Sequence, residues 1–284
     1  MSAPKGITLV RRPGQLEPLL APWRHRGGGL GLVPTMGALH AGHLSLVAQS
    51  RRSCARTLVS IFVNPTQFGP GEDYGRYPRT LAADLKLLAS AGPLVVLVPA
   101  AAAMYPAGHA TQVSVASPLT RVLEGAARPG HFAGVATVVA KLFGLAGPCT
   151  AFFGEKDWQQ LQVIRRMAAD LCLPVKVQGC PIVREADGLA KSSRNAYLSP
   201  QERAAAPRLK ASLGLAKACL KAGDSGPAAC RKARAFLEQG GLFKADYLVL
   251  ADAETLQAPR PGRPRRLLAA ARLGKTRLID NMAA

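Results

Sequence analysis

Two histidines three residues apart, His40 and His43, sit in the stretch Pro34-Thr35-Met36-Gly37-Ala38-Leu39-His40-Ala41-Gly42-His43. On a helix that begins near His40, this spacing sends both imidazoles from the same side of the first turn. Paired imidazoles suit charge developing on phosphate: they donate hydrogen bonds, and as imidazolium they also carry a transferable proton. Gly37 and Gly42 let backbone approach a ligand, and unpaired N–H groups at a helix start form an anion seat. Two other readings stay open. A zinc pair would need further ligands, and no Cys or His cluster with metal spacing lies nearby. A histidine beside a glycine turn also serves simply as a core or capping residue.

The elements around this stretch read as strand, turn, helix. Residues 30–33 are a short apolar run suited to a buried parallel strand, and Leu44, Leu46 and Val47 begin a helical apolar face that continues to about Cys54. The same grammar recurs. Residues 57–63 form a second strand that ends at Asn64-Pro65-Thr66-Gln67-Phe68, leaving two amides where open α/β sheets place their ligands. A loop over residues 70–79 follows, and Thr80 is placed to cap a helix running toward Gly92. The third strand is 94–98; the stretch from Met104 to about Arg121 reads as loops with a short strand. A fourth strand ends at 151–153, where Gly154-Glu155-Lys156-Asp157 opens a helix. There Lys156 lies between strand end and helix start, Gln160 lies one turn on, and Asp157 suits either a cap or a ribose contact. A fifth strand ends near Val183, and the cationic segment Lys191-Ser192-Ser193-Arg194 follows as a flexible anion clamp.

The ten residues 34–43 resemble the His-x-Gly-His signature of adenylate-forming nucleotidylyltransferases, and in their longer form they resemble the pantothenate synthetase (pantoate–β-alanine ligase) family. Asn64-Pro65-x-Gln67-Phe68, Tyr77-Pro78-Arg79-Thr80, Leu123-Glu124-Gly125-x-x-Arg128-Pro129-Gly130-His131-Phe132 and Ser192-Ser193-Arg194 match it too, so the likeness spans nearly the whole chain. The resemblance implies ligation of (R)-pantoate to β-alanine through a pantoyl adenylate, with release of AMP and pyrophosphate. It assigns ATP binding to Met36, Gly37, Ala38, Leu39, His40, Ala41, Gly42, His43, Gly154, Glu155, Lys156, Asp157, Val183, Lys191, Ser192, Ser193 and Arg194. It assigns substrate binding to Gln67 and Gln160, and catalysis to His43, His40 and Lys156, with His43 acting as an imidazolium or proton donor. The chain departs from the family pattern twice. Ala83-Asp84 stands where two adjacent acids are usual, so magnesium is expected to be held largely by ATP phosphates; Lys191 replaces an apolar residue and suggests an added phosphate contact.

With 284 residues, 48% of them hydrophobic, the chain can bury one large and one small domain, and no apolar run is long enough to cross a membrane. The expected fold is a doubly wound parallel Rossmann-like sheet over residues 1–182, followed by a smaller α+β lid over 183–284. Six cysteines without C-x-x-C spacing, and no signal-peptide core at the N-terminus, point to a reduced cytoplasmic protein. The net charge of +20 is compatible with nucleic acid or a polyanionic small substrate. Dispersed basic residues, 5% aromatics and no nucleic-acid-binding motif favour steering of ATP. Another nucleotidylyltransferase is the nearest alternative. A homodimer is expected, with no nucleic-acid or membrane partner.

Overall fold

The computed structural model describes residues 3–24 and 29–284. Six parallel strands make the main sheet: β1 (Ile7–Val10), β2 (Leu30–Thr35), β3 (Arg56–Ile61), β4 (Leu94–Leu97), β5 (Cys149–Gly154) and β6 (Val175–Cys180), in the order β1-β4-β3-β2-β5-β6. Their near-continuous apolar runs reflect burial on both faces. Helices α1 (Glu17–Arg24), α2 (Ala41–Ser53), α3 (Leu81–Ala89), α4 (Ala101–Met104), α5 (Glu124–Ala127), α6 (His131–Ala146) and α7 (Trp158–Asp170) connect them. On one face Leu46, Val47, Leu85 and Leu88 pack against Val33, Val59 and Val96; on the other, Val135, Val139, Leu161 and Ile164 pack with Leu32, Leu58 and Leu97.

The strand order reverses between β2 and β5. From β2 the chain winds outward through β3 and β4, then crosses to β5 on the opposite side. Such a reversal opens a crevice at the strand carboxyl ends. Here it places the turn after Thr35 beside the turn after Gly154, so two motifs far apart in the chain meet.

The remainder comprises α8 (Pro200–Ala205), α9 (Arg208–Lys221) and α10 (Gly226–Glu238) packed on an antiparallel sheet of β7 (Phe243–Asp252), β8 (Arg265–Leu273) and β9 (Thr276–Ala283). This unit is docked more firmly than a free lid. Ala251, Leu256 and Leu268 join the core beneath the main sheet, and Arg277 grips the buried Glu124 carboxylate at 2.6 and 2.7 Å while the Tyr247 hydroxyl donates to it at 2.7 Å. Two expectations need correction. The edge strand β1 precedes the first strand read from the sequence, and residues 104–121 contain helical turns and irregular chain with no strand.

Helix α6 crosses the Pro65–Gln67 turn at Gly134, where a Cβ atom would lie 2.2 Å from the Thr66 carbonyl oxygen. Backbone there cannot yield as a side chain can. Gly134→Ala is expected to destabilise the protein by about 2 kcal/mol, the usual scale of overpacking, seen as a fall of several degrees in thermal unfolding. An unchanged melting temperature would show that α6 moves freely over the turn.

Candidate functional site

The turn between β2 and α2 is held from beneath by Asp84. Its carboxylate is 1% exposed and accepts the backbone N–H of Leu39 at 2.9 Å, that of Ala38 at 3.1 Å and the Thr80 hydroxyl at 3.1 Å. Thr80 is the N-cap residue of α3, as expected, but its hydroxyl supports the Asp84 carboxylate and makes no capping bond to the backbone. The turn needs this help because Gly37 and Ala38 both have positive φ, +82° and +50°. Free backbone amides were expected here, and the structure differs. Gly37 donates to Thr35 Oγ1, Ala38 and Leu39 to Asp84, His40 to His43, and Gly42 to His40. Gly37, Ala38, Leu39 and Ala41 do not line the cavity that the turn borders, whereas His40, Gly42 and His43 do.

Both imidazoles do line it. His40 is the N-cap of α2: its Nδ1 accepts the Gly42 N–H at 3.1 Å, while His43 Nδ1 accepts the His40 N–H at 3.3 Å. An Nδ1 that accepts is unprotonated, so in each neutral ring the proton sits on Nε2. Burial, then the nearby charges of Lys156 and Lys191, lowers the His40 pKa to about 4. Burial, His40 and Lys156 lower that of His43 to about 3. Of the two forms expected, imidazolium or proton donor, the lowered values favour the neutral donor in the ligand-free protein. Two neutral Nε2–H donors are present at neutral pH, with ring centroids 4.1 Å apart.

Gln67 occupies the opposite wall. Asn64 Nδ2 donates to Gln67 Oε1 and to the Gly134 carbonyl, each at 3.1 Å, which turns the Gln67 amino group toward Met36 Sδ at 3.2 Å. The nitrogen end of Gln67 is thereby presented as a donor, while Asn64 is committed to the turn itself. Arg128 and His131 brace the neighbouring loop and line the larger cleft: the Arg128 fork pairs with Glu72, and His131 Nδ1 contacts the Gln67 carbonyl at 2.8 Å.

From the β5 side come Gly154, Lys156, Asp157 and Gln160, and from the later loop Val183, Lys191, Ser192, Ser193 and Arg194; with Met36 and Gly42 they complete the wall of a cavity of about 220 Å³. Glu155 is turned away and pairs with Arg266 at 3.2 Å. Asp157 makes no capping bond to α7 and lies 3.9 Å from the Lys156 ammonium. Two cations of the loop already have partners. Arg194 is bidentate to Asp73 at 2.9 and 3.0 Å, and Lys191 meets Glu185 at 2.5 Å. A larger cleft of about 490 Å³ between the main sheet and the C-terminal sheet shares Lys156, Asp157, Gln160, Ser192 and Arg194 with this cavity, but it contains neither His40, His43 nor Gln67. Only the smaller space is lined by His40, His43, Gln67 and Lys156 together.

A family model described as pantoate-β-alanine ligase matches residues 8–283. The chain belongs to the pantoate–β-alanine ligase family. The pantothenate synthetase of Paracoccus denitrificans is 50% identical over 283 residues, covering 100% of this chain and 99% of that relative. A crystal structure of pantothenate synthetase from Thermus thermophilus has a TM-score of 0.91 at 48% identity, covering 96% of this chain and 98% of that one. Pantoate–β-alanine ligase from Francisella tularensis, solved in complex with β-γ ATP and β-alanine, has a TM-score of 0.79 at 31% identity, covering 98% and 97%. As a pantoate–β-alanine ligase, the chain is an enzyme of pantothenate biosynthesis with the family's fold.

Asp84 was legible only as a doubtful magnesium contact; its hold on the turn spans 45 residues and has no local signature. The histidine tautomers lead to a direct test. In ligand-free protein, nitrogen-15 spectra of His40 and His43 should show neutral rings protonated at Nε2 from pH 8 down to about pH 5. Because the folded values lie below the ordinary 6.5, their contribution to stability is complete above 6.5 and is lost as pH falls through 6.5 toward 4 and 3, as the unfolded chain takes up protons first. An imidazolium signal at pH 7 would refute the assignment.

Proposed function

We propose that the cavity performs the family's ligation in two steps, with the residue roles that follow. The carboxylate of pantoate attacks the α-phosphorus of ATP, forming a carboxylate–phosphorus bond as pyrophosphate departs. The amine of β-alanine then attacks the acyl carbon of the pantoyl adenylate, giving pantothenate and AMP. The observation that carries this reading is the meeting, in one cavity, of the Gln67 amino group with the two Nε2–H donors and Lys156.

Gln67 and Gln160 hold pantoate. The Gln160 amide makes no hydrogen bond to protein among the described residues and borders both the cavity and the larger cleft, which suits a group reserved for substrate. Val138, Val139 and Leu142 line an apolar wall for the dimethyl end of the acid. His40 and His43 donate to phosphate oxygens as charge develops, and Lys156 supplies a fixed cation. The nucleotide crosses the wall shared with the larger cleft, where the Ser192–Arg194 segment closes on the triphosphate. Arg194 then exchanges part of its bond to Asp73 for phosphate, and Lys191 does so against Glu185. The complex of the Francisella relative with β-γ ATP and β-alanine supports ATP and β-alanine as ligands.

Magnesium fits as a companion of the nucleotide. Every oxygen of Asp84 is occupied by backbone or hydroxyl donors, and no group of three His, Cys, Asp or Glu side chains suited to a metal occurs among the described residues. When bound, the ion neutralises charge on the departing pyrophosphate. Residues 1–182 form the catalytic part and 183–284 the part that closes it, in a cytoplasmic homodimer.

Two measurements test the scheme. His43→Ala should slow pyrophosphate release by roughly two to four powers of ten, with the fold intact by circular dichroism; normal turnover would remove His43 from the chemistry. In the unmodified protein, pyrophosphate release should require pantoate but not β-alanine, and oxygen-18 from the pantoate carboxylate should appear in AMP. Release of ADP and phosphate would establish an acyl-phosphate route instead.

A further inference from the structure

Lys156 lies in a short helical turn, Glu155–Asp157, between β5 and α7. The C-terminal sheet holds this turn through side-chain hydrogen bonds. Asn281 of β9 is 3% exposed and places its Nδ2 2.9 Å from the carbonyl oxygen of Glu155 and 2.9 Å from that of Lys156. Its Oδ1 accepts Arg266 Nε at 2.8 Å. That contact fixes the amide orientation, because an arginine nitrogen can only donate and two carbonyls can only accept. All three of these side-chain hydrogen bonds of Asn281 are therefore spent on one task.

The neighbours act on the same turn. Arg266 lies over the Trp158 ring, 3.3 Å from its centroid, and pairs with Glu155 at 3.2 Å, while Trp158 Nε1 donates to the Ala253 carbonyl at 2.6 Å. Glu155 and Trp158, on either side of Lys156 and Asp157, are thus secured by side-chain contacts, while Asn281 bonds the backbone of Lys156 itself. With the Lys156 carbonyl bonded, the backbone from which the ammonium extends has a fixed direction into the cavity.

We propose that Asn281 is a positioning residue for Lys156, by which the C-terminal sheet sets the placement of the ammonium in the phosphate-facing wall. This rests on the reading of Lys156 as a phosphate-facing group. A residue that merely joined two domains would affect the enzyme whether or not Lys156 were present; a positioning residue acts only through it.

The test is a double-mutant cycle on the full chain, read by pantoate-dependent pyrophosphate release, with melting temperatures recorded for every protein. Asn281→Ala should lower kcat about tenfold with the KM for pantoate unchanged, and in a Lys156→Ala background it should cost less than about twofold. Asn281→Asp keeps the shape and the contact to Arg266 but lacks the two donors, and it should show the same loss and the same dependence on Lys156; it decides the matter if the alanine variant does not fold. A tenfold loss that persists in the Lys156→Ala background, or parent-like kinetics of both Asn281 variants, overturns this inference alone. Parent-like activity of Lys156→Ala by itself overturns the reading of Lys156 and this inference with it.

Discussion

A buried carboxylate that pairs with no cation among the described residues holds the working end of this protein together. Asp84 reaches from α3 across the end of the sheet to bind the amides of Ala38 and Leu39, and its other neighbour is a hydroxyl. A left-handed conformation at Ala38 costs about 1–2 kcal/mol, and charge-assisted hydrogen bonds from buried amides are of a size to offset it. With the turn secured, α2 begins at a defined place, His40 caps it, and His43 falls behind His40. Remove the carboxylate, and three donors lose their acceptor at once.

The same economy explains how the site meets polyanions without holding a concentrated charge. Its two histidines are neutral donors aligned by backbone amides, and each of its three cations arrives beside a carboxylate, Arg194 with Asp73, Lys191 with Glu185 and, more loosely at 3.9 Å, Lys156 with Asp157. A desolvated cluster of unpaired cations would repel itself and destabilise the fold. Paired cations can instead exchange a carboxylate for a phosphate, so the electrostatic change on binding is a trade between partners. The overall charge of +20 is largely a property of the rest of the surface.

What the sequence disclosed followed from local chemistry. Strands β2 to β6 could be read from apolar runs, and both halves of the crevice from glycine and lysine at strand ends, because buried parallel strands and helix starts impose patterns on adjacent residues. Edge strand β1 was hidden: four residues next to a polar N-terminal stretch give little periodicity. The Asp84 clamp and the contacts of Asn281 were hidden for a deeper reason, since each joins residues far apart in the chain and a lone acid or amide carries no mark of its partner. Even the histidines were half legible. Their spacing revealed a shared face, but their neutral state depends on burial and on which nitrogen faces the backbone.

At Gly134, main chain passes directly over main chain, with no side chain between α6 and the Pro65–Gln67 turn. The gap at that crossing is therefore fixed by the thickness of two polypeptide backbones, and no exchange of side chains can widen it. What remains adjustable is the apolar lining farther along the helix, at Val138, Val139 and Leu142, and across from it at Phe62 and Phe153. Attempts to fit longer or bulkier acids into this scaffold must gain their room there, because the spacing of α6 over the Pro65–Gln67 turn is one that redesign of the lining leaves untouched.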